Sequence, residues 1–240
     1  MTRDGERMVP AESDKSALRD AATIVVVRDA SSDPKVLMGQ RGAAAAFMPN
    51  KFVFPGGAID PVDDSVSLAE PLPDRTHQAL AEESARSPEA IAAAAIRELW
   101  EETGQCLGST VSWPDPPQGW RGYAARGLRP SGAPLRFIFR AVTPVGRPRR
   151  FDARFLLADA AALATDPDDF SAAEDELLHL QWVRLAEART FDLPFITEVV
   201  LAQLSAILPN DDQPADVPFF RNDDESHLVT RLGGAHPLDV

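Results

Sequence analysis

The chain has 240 residues, of which 44% are hydrophobic, and a formal net charge of -13. This length and apolar content suit one large domain with a sizeable core and exclude global disorder. The charge excludes a general nucleic-acid surface, which needs a basic footprint, and any work on phosphates would need a compensating cation.

Residues 1–20 are polar and read as a flexible lead-in. They contain no apolar run of signal-peptide length, and no later stretch reaches membrane-spanning length, so a soluble cytoplasmic protein without membrane partners is expected. Residues 22–28 and 36–41 are β-branched, apolar runs separated by a turn cluster, and they read as a hairpin. Phe52-Val53-Phe54 is a third short strand that ends abruptly at Pro55-Gly56-Gly57. Residues 58–86 are acidic and punctuated by prolines, with one short helix predicted near 76–85. Ser87-Pro88-Glu89 then starts a second helix: a serine cap, proline in the first turn and an acid suited to the dipole. This helix should run to Glu102 and stop at Gly104. Strands are expected over 135–143, 151–157 and 178–183, a helix over 195–208, and a hairpin in the tail 209–240 around Asn222-Asp223-Asp224. Mixed strands with two long helices predict an α+β or α/β sandwich.

The second helix carries the chemistry. At 100° per residue, Glu101 and Glu102 fall about 60° and 40° either side of Glu98, opposite Ile96, Leu99, Trp100 and Thr103. Three like charges on one arc cost roughly 0.2–0.5 kcal/mol per pair, and they lie in the turn where the dipole disfavours anions. Hard oxygen ligands for Mg2+ or Mn2+ would explain the pattern; a solvated acidic face is the alternative.

Arg97-Glu98-Leu99-Trp100-Glu101-Glu102-Thr103-Gly104, with Phe54-Pro55-Gly56-Gly57 upstream, resembles the box of the Nudix hydrolase family, Gly-x5-Glu-x7-Arg-Glu-U-x-Glu-Glu-x-Gly-U, where U is aliphatic. The resemblance implies an α+β fold, a Nudix-type α/β/α sandwich with a mixed sheet, over residues 21–208. Two registers are open for the first acid. Glu89 has the x7 spacing to Arg97, but 31 residues rather than five lie between it and Gly57, an insertion of 26. Asp63 has the x5 spacing to Gly57, with the insertion after it. The last aliphatic position holds Gln105, so Cys106 or Leu107 is expected to supply the apolar contact. The long insertion is similar to that of a subgroup including peroxisomal-type coenzyme A diphosphatases. Its proline and acid content suits an exposed lid or specificity element.

The resemblance further implies that Glu98 and Glu102 bind the metal, with Glu101 adjacent and carbonyls near Gly57 or Ala58 completing the site. Arg97 would orient a glutamate, and Gly56 and Gly57 would form a cation-and-phosphate loop. Glu98, Glu174 and Glu176 are candidates for the general base. Counting back from Phe54 places Arg41 at a substrate-phosphate position of the coenzyme A branch, while Ala46 and Asn50 depart from that pattern. Arg154, in the basic run with Arg147, Arg149 and Arg150, is a second candidate. The implied activity is cleavage of a diphosphate linked to a nucleoside, as in coenzyme A, ADP-ribose, NADH or dinucleoside polyphosphates. A non-catalytic nucleotide sensor and an acidic helix docking a basic protein are the other readings. A small-molecule partner is expected and nucleic acid is not; homodimerisation stays open. The four histidines are scattered, and the single cysteine, Cys106, leaves no disulfide and no cysteine-based zinc cluster.

Overall fold

A computed structural model describes residues 17–45, 47–208, 216–222 and 230–231. Strand β1 (Leu18–Arg28) is its axis. Ala22, Ile24 and Val26 point to one face of the sheet and Val25 and Val27 to the other, and both sets are buried, so the sheet must be covered on two sides. Strand β2 (Lys35–Arg41) follows, then the short β3 (Phe52–Val53) and β4 (Gly56–Ala58). Helix α1 (Asp74–Ala81) precedes α2 (Pro88–Thr103). An excursion holds β5 (Gly108–Ser109), the one-turn α3 (Arg121–Ala124) and β6 (Arg129–Pro130), and β5 pairs with β6. Strands β7 (Arg136–Val142), β8 (Arg150–Asp159) and β9 (Leu177–Arg184) lead to α4 (Phe195–Ile207). Strands β10 (Pro218–Phe220) and β11 (Thr230–Arg231) end the described chain.

The main sheet runs β11-β10-β7-β8-β1-β2-β3, with β4 on β1 and β9 on β2. It is mixed: β1 runs parallel to β8 and β10 to β7, and the other pairs are antiparallel. Helix α2 packs on the Ile24 face and α4 on the Val25 face, giving an α/β/α sandwich. No helix among the described residues is long and apolar enough to cross a membrane.

Four expectations change. Residues 18–20 are strand rather than lead-in, because parallel pairing with β8 begins at Leu18 opposite Arg150. The 22–41 hairpin closes over only two residue pairs, Val27–Val36 and Arg28–Lys35. Beyond them β1 takes β4 as its neighbour, while β2 takes β3 and β9. The short helix starts at Asp74, directly after Pro73, and ends at Ala81. Most importantly, segment 58–86 is not a free-standing exposed element: about half of its residues are exposed, but its apolar side packs on the core. Ile59, Val66, Leu72 and Leu80 are buried in the same cluster as α2 and β1. The buried Thr76 donates from its hydroxyl to Leu135 O at 3.1 Å. The segment therefore covers the outer side of α2, which explains why Ala92 to Ala95 are all buried: small residues let two layers approach the helix at once. Of the tail hairpin, β10 and β11 pair antiparallel and β10 extends the sheet beside β7; residues 223–229 lie outside the described ones.

Candidate active site

The carboxylates are held by α2, whose ends are fixed by its sequence. Ser87 Oγ accepts the Ala90 N–H at 3.1 Å, Pro88 opens the first turn, and Gly104 closes the helix at φ 75°, with its N–H on Trp100 O. Gln105, the polar departure from the box, is buried with its amide fully used. Its Nε2 donates to Asp166 O and Asp169 O, and its Oε1 accepts from Thr165. Cys106 and Leu107 fill the adjoining core.

Arg97 is the organising residue, 5% exposed, with each of its five N–H groups used. Nε and Nη2 bind Asp63 in a two-pronged pair, both at 3.0 Å, and Nη2 also donates to Ala58 O. Nη1 donates to Glu98 and Glu101 at 2.8 and 2.9 Å. This decides between the two registers. Asp63 is fully buried against Arg97, whereas Glu89 sits two turns away and pairs with His77 on the surface at 3.2 Å. Asp63, and not Glu89, is the acid that Arg97 binds.

Strand β4 brings the glycines against these acids. The Gly56 N–H donates to Glu102 Oε2 at 2.8 Å. A Cβ on Gly56 would lie 2.7 Å from Ala22 O, and one on Gly57 would lie 2.6 Å from Glu98 Oε2 and closer still to Oε1. Only glycine allows this approach of strand to carboxylate. Burial pushes the Glu98 carboxyl up to about 7 against the lowering pull of Arg97, and burial also raises Glu101. Burial, then the charge of Glu98, holds Glu102 well above the usual carboxylate range. The cluster is short of positive charge.

Arg41, at the end of β2, donates from Nη2 to Glu176 Oε1 at 2.8 Å. The charge of Arg41 acts on Glu102, and that of Glu176 on Glu98 and Glu102, so this pair stands beside the box acids. The Glu174 N–H donates to Glu101 O, which ties the acidic loop to the end of α2. The structure thus brings together Arg41, Gly56, Gly57, Arg97, Glu98, Glu101, Glu102, Glu174 and Glu176. It sets Arg154 apart. At 1% exposure, Arg154 binds Asp20, Asp152 and Ser84, within a network that its neighbour Arg140 continues to Glu82 O and Glu83 O. Its guanidinium is buried among these partners and is not presented at the surface. Sequence reasoning missed this network and the role of Arg86, which bridges Asp20 and Asp64. A charged Arg140 inside an otherwise apolar strand was the available signal.

The donor set suits a hard divalent cation: carboxylate oxygens, crowded, buried and undercompensated. Among the described residues no three acid, histidine or cysteine side chains already surround a common point. Glu98 and Glu101 turn instead to Arg97, the positive charge at hand.

Residues 17–204 match the NUDIX domain family. The chain is 28% identical to a NUDIX hydrolase from Alicyclobacillus acidocaldarius, with a TM-score of 0.61 over 81% of this chain and 94% of that one. It is 35% identical over 98 residues to "Putative nudix hydrolase 7" of Caenorhabditis elegans, a match that spans 41% of this chain and 25% of that protein's length.

Proposed function

This chain belongs to the NUDIX domain family, and from that premise we propose that it hydrolyses the diphosphate linkage of a small nucleoside-diphosphate derivative with the aid of Mg2+ or Mn2+. The observation that carries the reading is the packing of Glu98 and Glu102 against the Gly56-Gly57 strand, buried and with too little positive charge nearby.

Glu98 and Glu102 are the principal metal ligands in this reading, with Glu101 adjacent. When bound, the cation neutralises the diphosphate and activates a water. Arg97 and Asp63 act on the ligands: the guanidinium fixes Glu98 and Glu101, and Asp63 fixes the guanidinium. Gly56 and Gly57 leave the backbone free to approach oxygens. Arg41 contacts a substrate phosphate. Glu98, Glu174 and Glu176 are, in this reading, the candidate carboxylates for taking the water's proton. A compact substrate fits a protein of charge -13, because it needs only local neutralisation, whereas a polyanion is repelled over a long range.

The test is a panel of coenzyme A, ADP-ribose, NADH and dinucleoside polyphosphates, assayed with Mg2+, with Mn2+ and with chelator. Turnover of one class that chelator abolishes is expected. Salt-sensitive binding of RNA or DNA, without hydrolysis of any free diphosphate, would overturn the reading.

A further inference from the structure

Arg41 is held more firmly than a surface arginine. It ends β2, and its backbone closes the loop that follows: its N–H donates to Lys51 O at 2.9 Å and its carbonyl accepts from Asn50 at 3.0 Å. The β2–β9 register sets it opposite Leu177, which places Glu176, the last loop residue before β9, within reach of its guanidinium. The two partners differ. The Arg41 side chain is mostly buried, and among the described residues its one side-chain hydrogen bond goes to Glu176, which is more than half exposed. One donor group is therefore poised and only partly used, and the anion on it comes from a loop.

That anion sits badly. Glu176 adds a negative charge to the loop that the Glu174 N–H ties to Glu101 O, at the end of α2 that carries Glu98 and Glu102. Its tie to Arg41 is a single contact of a partly exposed pair, the kind worth little. A substrate phosphate brings more charge and more acceptor oxygens to the same guanidinium. On these grounds we propose that Glu176 is an internal stand-in for the substrate phosphate on Arg41, displaced when a phosphate arrives and thereby released beside Glu98 and Glu102. The proposal rests on the reading that Arg41 contacts phosphate. It makes the Arg41–Glu176 pair a self-inhibiting contact that couples phosphate seating to the release of a carboxylate next to the metal ligands.

The experiment measures binding without turnover. Inorganic pyrophosphate and ADP are titrated calorimetrically into the full chain in chelator. Glu176→Gln should bind both about threefold to fivefold more tightly than the wild type, because the competitor is gone. Arg41→Ala should lose most of the affinity, and the double variant should match Arg41→Ala. Glu174→Gln removes the same charge from the same loop and should gain much less. In the wild type, the Arg41 Nε–H resonance should shift as ADP is added. The proposal falls if Glu176→Gln binds no better or not measurably, if Glu174→Gln gains as much, or if the gain survives without Arg41. The diphosphate panel on the wild type stands apart from these arms. Hydrolysis without the Glu176→Gln gain sinks only the exchange, and the gain without any hydrolysis sinks only the enzymatic reading.

Discussion

Glu102 is 2% exposed, and its carboxylate meets one backbone N–H, from Gly56, and the repulsion of Glu98. A neutral side chain of the same shape removes the cost of burying that charge. Glu102→Gln should therefore leave the metal-free protein at least as stable as the wild type. Mg2+ or Mn2+ should raise the melting temperature of the wild type but not of this variant, and the substitution should cut turnover by orders of magnitude. Thermal scans with and without metal check this, and near-normal metal-dependent activity would refute the ligand assignment. Asp63 and Glu89 make a second contrast. Asp63→Asn turns an N–H toward the Arg97 donors inside the protein and should cost about 3 kcal/mol or more, with a matching loss of turnover. Glu89→Gln touches a surface pair and should change stability by less than about 0.5 kcal/mol and activity hardly at all. Equal effects of the two would reopen the register.

At the scale of elements, segment 58–86 is the part whose character changed most. Prolines and acids gave it the look of a surface loop, yet its few apolar residues are placed to cap α2. Leu80, on α1, is 2% exposed in that cluster, and Leu80→Ala should lower the unfolding free energy by about 2–5 kcal/mol in urea titration. Replacing the whole segment with a short link would strip the Ala92–Ala95 face of α2 and should give an unfolded or aggregating chain rather than an enzyme of altered preference. A well-folded deletion would show that the segment is an accessory after all.

Across the whole molecule, buried charge is distributed in two places. One is the box, around Arg97. The other joins the start of β1, strands β7 and β8 and the end of segment 58–86 through Asp20, Arg86, Arg140, Asp152 and Arg154. The second network fastens that segment to the sheet. Arg154→Ala should cost about 3 kcal/mol or more of stability, since it leaves Asp20 and Asp152 short of a partner. It should leave the Michaelis constant of the folded protein close to the wild-type value. Arg41→Ala should do the reverse, raising the Michaelis constant with little loss of stability. Steady-state kinetics beside urea titration separates the two, and a substrate-specific effect of Arg154→Ala would return it to the binding site.

What could be read from the chain alone was whatever depends on short range. Periodicity and β-branching marked the strands at 22–28, 36–41, 151–157 and 178–183. Ser87-Pro88 and Gly104 bounded α2 within a residue, because capping is local chemistry. The angular arc of Glu98, Glu101 and Glu102 followed from helix geometry. Only the tertiary structure decided which acid meets Arg97, for Asp63 and Glu89 each satisfied one half of the spacing, and the answer depends on a contact across 34 positions. The packing of segment 58–86 on the core, the sequestering of Arg154 and the pairing of Arg41 with Glu176 belong to the same kind. Each joins residues far apart in sequence, and the fate of a charged or sparse apolar side chain is set by what the rest of the chain lays against it.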